Sequence, residues 1–395
     1  MGKGFRGVIA ICVTLLTVSS ARPAAAQQKV EFEADALKIE LGGRFQTELA
    51  TSSCSDFTSS APPSTLCSKD VPSLDMFIRR ARFTLDIQVN EWISGRFQPD
   101  FSAIDQLELK DAWGRVDLQP GAKTSAARIK VGHFKRPFDG FQLTSSTQFL
   151  TVERDLDIAS ISSTKALSLD ELTTKNLLSD RDVGIMVDGG LAGDRFHYWV
   201  GAFNGQNAGT NKDTDNAKQV IARAQVKLTA GAHPLKIAAA GAVTDVPFTR
   251  ANASLDSRQM GAFELFAELG DFKGGAHAQA GVILGKNRLE NKLGSEPDLE
   301  AGDPLANMVT WQAIGAWKFD VADNFFFEAI EPVFRVTMAD PNRDLGNDVV
   351  WGFTPGVEIF FDGRNKIALN WDFVSFAANG TDSENSFKAL YQFHF

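Results

Sequence analysis

Along most of the chain, apolar and polar residues alternate one for one. Between Lys38 and Ala50, Ile39, Leu41, Phe45 and Leu49 share one parity, while Glu40, Arg44, Gln46 and Glu48 take the other. From Phe77 to Asn90, Ala81, Phe83, Leu85, Ile87 and Val89 alternate with Arg80, Arg82, Thr84, Asp86, Gln88 and Asn90. Further on, Ile367, Leu369, Trp371 and Phe373 alternate with Lys366, Ala368, Asn370 and Asp372. Successive side chains of a strand point to opposite faces, so each run predicts a strand with one oily and one wet face. Strands of soluble domains run about five or six residues. These run about twice as far, the length a tilted strand needs to cross a bilayer.

The pattern predicts about sixteen such strands, near 37–50, 76–90, 91–102, 105–118, 126–136, 181–189, 195–204, 218–229, 235–244, 258–269, 273–286, 307–320, 324–338, 348–361, 364–376 and 385–395. Asp111, Trp113 and Arg115 break the phase of the fourth, which marks a candidate bulge. Phe325, Phe326 and Phe327 leave the facing of the thirteenth open. Short connections rich in Asn, Asp and Gly (Asn90-Glu91, Gly270-Asp271, Asp320 to Asn324, Asp362 to Asn365) alternate with long polar ones at 51–75, 137–180, 205–217, 245–257, 287–306 and 339–347. One rim of tight turns and one of long loops is the pattern of an all-β, antiparallel transmembrane barrel. A soluble β-sandwich also alternates, but its strands are shorter and its oily face meets a second sheet.

In a barrel the apolar parity meets lipid. Trp92, Trp113, Trp199, Trp311, Trp317, Trp351 and Trp371, with the many Phe residues, are expected to form interfacial girdles. The polar parity then lines a lumen, and about sixteen strands leave that lumen wet. Its early strands carry Arg44, Arg80, Arg82, Arg96, Arg128 and Lys130, with Lys135 at the mouth of the longest loop. Glu40, Glu48, Asp86, Asp100, Glu108 and Asp111 fall in or near the same set.

Composition narrows the setting. Lys3 and Arg6 precede the apolar run Val8–Val18 and then Ala24-Ala25-Ala26, so residues 1–26 are expected to be a signal peptide and 27–395 the barrel domain. The net charge of -9 argues against a nucleic-acid partner. Cys54 and Cys67 share one loop, where an oxidising compartment favours a disulfide. A metal site there lacks a nearby histidine or third cysteine. The five histidines are scattered, no serine–histidine pairing suggests a nucleophile, and no cofactor motif is present. Gly201 to Gly205 ends a strand, so it is a turn, not a phosphate cradle. Glu153-Arg154 is expected to be an ion pair or loop anchor.

The ordered set FIRRARFTLDIQV, GRFQPDFS, LELKDAWGRV, IKVGHFKRPF and LTSSTQFLTVERDL, followed by Arg181-Asp182-Val183-Gly184, resembles the phosphate-selective porin O and P family. The resemblance is clearest from Phe77 to Gly184. It implies a sixteen-stranded outer-membrane barrel, commonly a homotrimer, whose third loop, here 137–180, folds into the lumen. By similarity, Arg80, Arg82 and Lys135 are the constriction candidates, and Ser145 and Ser146 supply hydroxyl donors from the loop. The chain departs from the family's selective members in having few lumenal lysines and no N-terminal coiled segment. Tyr391, Phe393 and Phe395 resemble the C-terminal signal by which such barrels engage the barrel-assembly machinery. The expected function is passive diffusion of small hydrophilic solutes across the outer membrane, with anions preferred and phosphate as one candidate. A general diffusion porin and a non-conducting barrel that anchors or adheres through its loops are the alternatives.

Overall fold

The computed structural model describes residues 30–34, 37–52, 73–103, 106–156, 168–206, 209, 212–213, 215, 217–229, 233–252, 254–270, 274–321, 326–377 and 383–395. The expected signal peptide and the cysteines Cys54 and Cys67 lie outside the described residues.

A short strand, β1 (Val30–Ala34), folds back along the start of the next. Sixteen strands then follow in chain order: β2 (Leu37–Ser52), β3 (Ser73–Gln88), β4 (Ile93–Asp100), β5 (Glu108–Asp117), β6 (Arg128–Lys135), β7 (Arg181–Leu191), β8 (Phe196–Phe203), β9 (Gln219–Lys227), β10 (Leu235–Thr249), β11 (Leu255–Leu269), β12 (Gly275–Asn291), β13 (Leu305–Asp320), β14 (Ala329–Asp340), β15 (Val350–Asp362), β16 (Asn365–Phe376) and β17 (Glu384–His394). Each pairs antiparallel with its neighbours in sequence. β17 also pairs with β2, from Ser386 opposite Ser52 to His394 opposite Arg44. Past that register, Phe395 and Gly43 exchange backbone hydrogen bonds of 2.9 and 3.1 Å. The sheet is therefore a closed barrel of sixteen strands. Closure leaves no edge, and every strand's backbone groups find partners without water, as hydrocarbon demands. Among the described residues no helix is long and apolar enough to cross a membrane.

Facing follows parity. In β17, Ser386, Lys388, Leu390 and Gln392 are buried inside, whereas Tyr391 and Phe393 are exposed on the outer wall. The turn rim is tight: between β15 and β16 only Gly363 and Arg364 intervene, and Gly363 takes a φ of 57° that a side chain would disfavour.

Two bulges re-aim side chains. On β5 the register slips so that Gln98 faces Asp111 and Pro99 faces Leu109, leaving Lys110 extra. The phase break around Asp111, Trp113 and Arg115 is this bulge. A second, on β3, sets Gln46 opposite Arg80 and Thr47 opposite Ile78. The extra residue, Arg79, joins Arg80 in reaching a common carboxylate inside the barrel.

Several sequence expectations change. β10 runs to Thr249 and β11 starts at Leu255, so the loop expected at 245–257 shrinks to residues 250–254. β14 starts at Ala329, not near 324, and Phe326 lies exposed in the turn before it. Trp92, Trp317, Trp351 and Trp371 are exposed outside as expected. Trp113 and Trp199, by contrast, line the inner cavity. The β5 bulge decides the first, and strand parity shared with the lumen-facing Phe203 decides the second.

Candidate functional site

The segment between β6 and β7 folds into the lumen, and its neck is pinned. Arg136, 1% exposed, donates to the Ser179 carbonyl at 2.6 Å and to Asp182 Oδ2 at 2.8 Å, and also to the Gln206 carbonyl. The chain then turns sharply at Asp139, whose φ is 64°. Its carboxylate accepts from the Phe141 and Gln142 amides, starting a single helical turn, α1 (Gly140–Leu143). Glu264 of β11 accepts from the Asp139 and Gly140 amides at 2.9 and 2.6 Å and is itself held by Arg223 at 2.6 Å. Gly140 is needed here, because a Cβ would lie 2.4 Å from the Phe266 ring. Phe141 meets that ring edge-on, with centroids 5.1 Å apart. Farther along, α2 (Leu169–Lys175) starts with a capping box between Ser168 and Glu171. It buries Leu172 in a cluster with Phe138, Leu178, Ile221, Met260 and Met308. Each such side chain contributes about 1.5–3 kcal/mol on burial, so the loop is a packed body inside the barrel.

The far side of the loop is sealed against the wall by hydrogen bonds from inward-facing strand residues. Gln46 and Gln392 donate to the Ser146 and Thr147 carbonyls, each at 3.3 Å. Lys366 donates to the Phe149 carbonyl at 2.6 Å, and Asn370 accepts from the Val152 amide at 3.0 Å. Gln312 and Arg335 donate to the carbonyls of Arg154 and Glu153 at 3.0 and 2.9 Å. The Glu153 carboxylate is gripped by Arg80 at 2.9 and 2.7 Å and by Arg79 at 2.7 Å. Burial pulls this carboxyl upward, yet Arg80 and Arg79 outweigh it and hold it well below the ordinary carboxylate range. Glu153 is thus the anchor that its place beside Arg154 foreshadowed, although its partners are Arg79 and Arg80.

The loop's other side is open. Residues 137–148 border a cavity of about 640 Å³ whose far wall runs from β4 to β11 and includes Arg96, Trp113, Lys130, Lys135, Trp199 and Arg223. Arg44 reaches the loop from β2, donating to Ser146 Oγ at 2.6 Å and Ser145 Oγ at 3.4 Å. Lys135 donates to the Gln142 carbonyl and, at 3.3 Å, to the Thr144 carbonyl. The loop segment 142–146 therefore takes Lys135 on its carbonyls and Arg44 on the hydroxyls of Ser145 and Ser146. The other basic candidates are differently engaged. Arg80 is committed to Glu153 and is 6% exposed, which leaves no free face for a passing solute. Arg82 pairs with Asp100 at 2.5 Å, Arg96 with Asp86 at 2.7 Å, and Arg128 with Asp188. Lys130 lies over the Trp113 ring, 4.6 Å from its centroid.

Among the described residues, Arg44, Arg115, Lys130 and Lys135 have no carboxylate at ion-pairing distance. Some buried acids, by contrast, are matched by bases, and burial raises the carboxyls of others. Arg181 bonds Asp111 at 2.8 Å and Asp180 at 3.4 Å. Burial, with the charges of Glu264 and Asp170, pushes the Asp139 carboxyl up to about 8. Burial likewise raises Asp170. The surplus along the open path is cationic even though the whole chain is acidic. Sequence parity missed Arg181, Arg154, Arg223 and Lys236 as part of this region. Arg181 stands in the quoted Arg-Asp-Val-Gly stretch, but its partners are known only once β5 lies two strands away.

A family model for the phosphate-selective porin O and P family matches residues 68–272, just over half of the chain. Comparison with curated proteins gives no match. Among solved structures, OprB of Pseudomonas putida superposes with a TM-score of 0.57 at 10% identity, covering 90% of this chain and 94% of that one. The anion-selective porin of Comamonas acidovorans gives 0.55 at 12%, covering 91% and 100%. The trimer form of OmpT, an outer-membrane protein of Vibrio cholerae, gives 0.52 at 14%, covering 91% and 100%. At these identities the likeness is one of fold.

Proposed function

The chain belongs to the phosphate-selective porin O and P family and is an outer-membrane porin, and we propose that it passes small hydrophilic solutes with a preference for anions. The observation that carries the preference is the set of cations without carboxylate partners, Arg44, Lys130 and Lys135, beside a loop face of hydroxyls and carbonyls. A pore selects by bore, lining charge and desolvation. Cations that already hold a carboxylate offer a passing anion little. Those that do not offer it a succession of weak sites, with Ser145 and Ser146 adding neutral donors. Guanidinium and ammonium groups suit phosphate oxygens, so phosphate is a candidate solute within this reading.

The pairs Arg80–Glu153, Arg82–Asp100 and Arg181–Asp111 favour a second reading, general diffusion with little charge preference, because they cancel much of the lining charge. Conductance in planar bilayers separates the readings. A reversal potential biased to anions under a salt gradient, with chloride current reduced by phosphate, supports the first. A reversal potential near zero supports the second, and absence of current supports a barrel that only anchors or adheres. Assembly as a homotrimer, for which the trimer form of the Vibrio cholerae protein gives precedent in the fold, and delivery by the barrel-assembly machinery through Tyr391, Phe393 and Phe395 belong to the same proposal. The mass of the purified protein in detergent tests the trimer.

A further inference from the structure

The inner cavity has two kinds of lining that an inorganic anion does not need together. One is charged and mainly basic: Lys130 and Lys135 hold no carboxylate, whereas Arg96 is paired with Asp86 and the lining acids Asp111 and Glu268 are paired with Arg181 and Lys236. The other is apolar and flat: Trp113, Trp199, Phe266, with Leu143 from the loop. They are interleaved. Lys130 Nζ lies 4.6 Å from the Trp113 ring centroid and 5.2 Å from that of Phe134. The guanidinium carbons of Arg115 and Arg96 lie 5.7 and 5.8 Å from the same indole. Opposite Trp113 in the register stands Gly132, with φ 132°, where a Cβ would fall 2.7 Å from the Trp113 Cα. The wall beside the indole is therefore bare backbone.

We propose that this cavity is a subsite for organic anions that carry a flat apolar ring, the aryl carboxylate class. The inference rests on the anion-conducting reading above and specifies its solute. A small oxyanion is strongly hydrated, and placing it against ring faces strips water without replacement. An aryl carboxylate divides its two ends as the cavity does. Its carboxylate meets the Lys130 ammonium, which has no carboxylate partner among the described residues. Its ring lies on the Trp113 indole beside that ammonium, within a lining that includes Leu143 and Phe266. The volume of about 640 Å³ suits one such molecule with room for its water.

The test is block of chloride current through the full-length protein in planar bilayers by benzoate, by acetate, which has the same charged group and no ring, and by inorganic phosphate. Benzoate is expected to half-block at about one tenth of the acetate concentration, the return on burying roughly 60 Å² of ring. Trp113→Ala should bring the benzoate-to-acetate ratio close to one, and Trp113→Phe should keep most of it. Equal block by benzoate and acetate in the unaltered protein, or a ratio that survives Trp113→Ala, overturns the subsite. Calorimetric binding of benzoate and acetate to the unaltered protein in detergent decides the same question without conduction. Preferential benzoate binding there supports the subsite, and its absence overturns it. Loss of chloride current or a cation-biased reversal potential would remove the conduction reading alone.

Discussion

Arg80 and Glu153 form a two-pronged pair inside the barrel: Nη1 donates to Oε1 at 2.9 Å and Nη2 to Oε2 at 2.7 Å. One partner sits on β3 next to a bulge and the other on the inner loop, so the pair ties the loop to the barrel wall. The same bond makes Arg80 a structural cation, whereas Arg44 makes its loop contacts to hydroxyls and holds no carboxylate.

Removing the anchor should loosen the loop. Glu153→Ala leaves Arg80 buried without its counter-charge, and breaking a buried pair in this way costs about 3–5 kcal/mol. Single-channel records are expected to show a larger and noisier conductance than the parent, with faster proteolytic nicking within 137–180. Unchanged records would mean that the backbone hydrogen bonds to Gln312, Lys366 and Arg335 hold the loop by themselves.

Reversing the charge of Arg44 probes selectivity. At about 5 Å in water-like surroundings each unit charge is worth roughly 0.8 kcal/mol to a passing ion. Arg44→Glu changes two units, which shifts anion and cation by about 1.7 kcal/mol each in opposite senses, so the anion-to-cation permeability ratio at low salt should fall by about two orders of magnitude. The reversal potential under a salt gradient reads it directly, and the effect should shrink in 1 M salt, where charges are screened within about 3 Å. Arg80→Glu together with Arg82→Glu is a harsher variant, since it also breaks the loop anchor.

Asp139 gives the loop a pH dependence. Its carboxyl is raised to about 8 by burial and by the charges of Glu264 and Asp170. The seated loop keeps the proton that a released loop gives up, so the stabilisation is whole below the ordinary value of 3.8 and is lost as pH rises toward about 8. Loop-opening events in single-channel records should therefore become more frequent from pH 5 to pH 8. Asp139→Asn keeps an oxygen for the Phe141 and Gln142 amides and should flatten the dependence. A wild-type-like pH profile in that variant would assign the effect to another group.

Gly140 is a test of close packing. An added methyl would lie 2.4 Å from the Phe266 ring, and overpacking of this kind typically costs about 1–3 kcal/mol. Gly140→Ala should shift conductance and lower the melting temperature, while Gly140→Ala with Phe266→Leu should recover part of both. Additive effects of the two changes would place the strain elsewhere.

Much of the barrel was legible because its main instruction is local. A strand needs only alternate parity over its own length, and β2, β3, β16 and β17 declare theirs residue by residue. The bilayer settles which parity faces out, so closure, strand number and the alternation of turns with loops follow with little help from distant contacts. Where the local signal was weak, the ends moved: the triple phenylalanine hid the start of β14, and polar residues such as Asp245, Asp256 and Arg258 hid the extension of β10 and β11. The inward cations could also be named from parity, since Arg44, Arg80, Arg82, Arg96, Arg128 and Lys130 all fall on the wet face.

The sequence by itself thus determined a sixteen-strand wall and a basic inner lining. The tertiary structure alone decided which of those cations stay free and where the long loop lies. Gln392 meets Thr147 across 245 positions of chain, and Arg80 meets Glu153 across 73. No periodicity spans such distances, because an ion pair depends on the register of strands and the path of a loop. Trp113 and Trp199 carry the same lesson. An indole suits a lipid interface or an inner cavity equally well, and one extra residue at Lys110 sent the first of them inward.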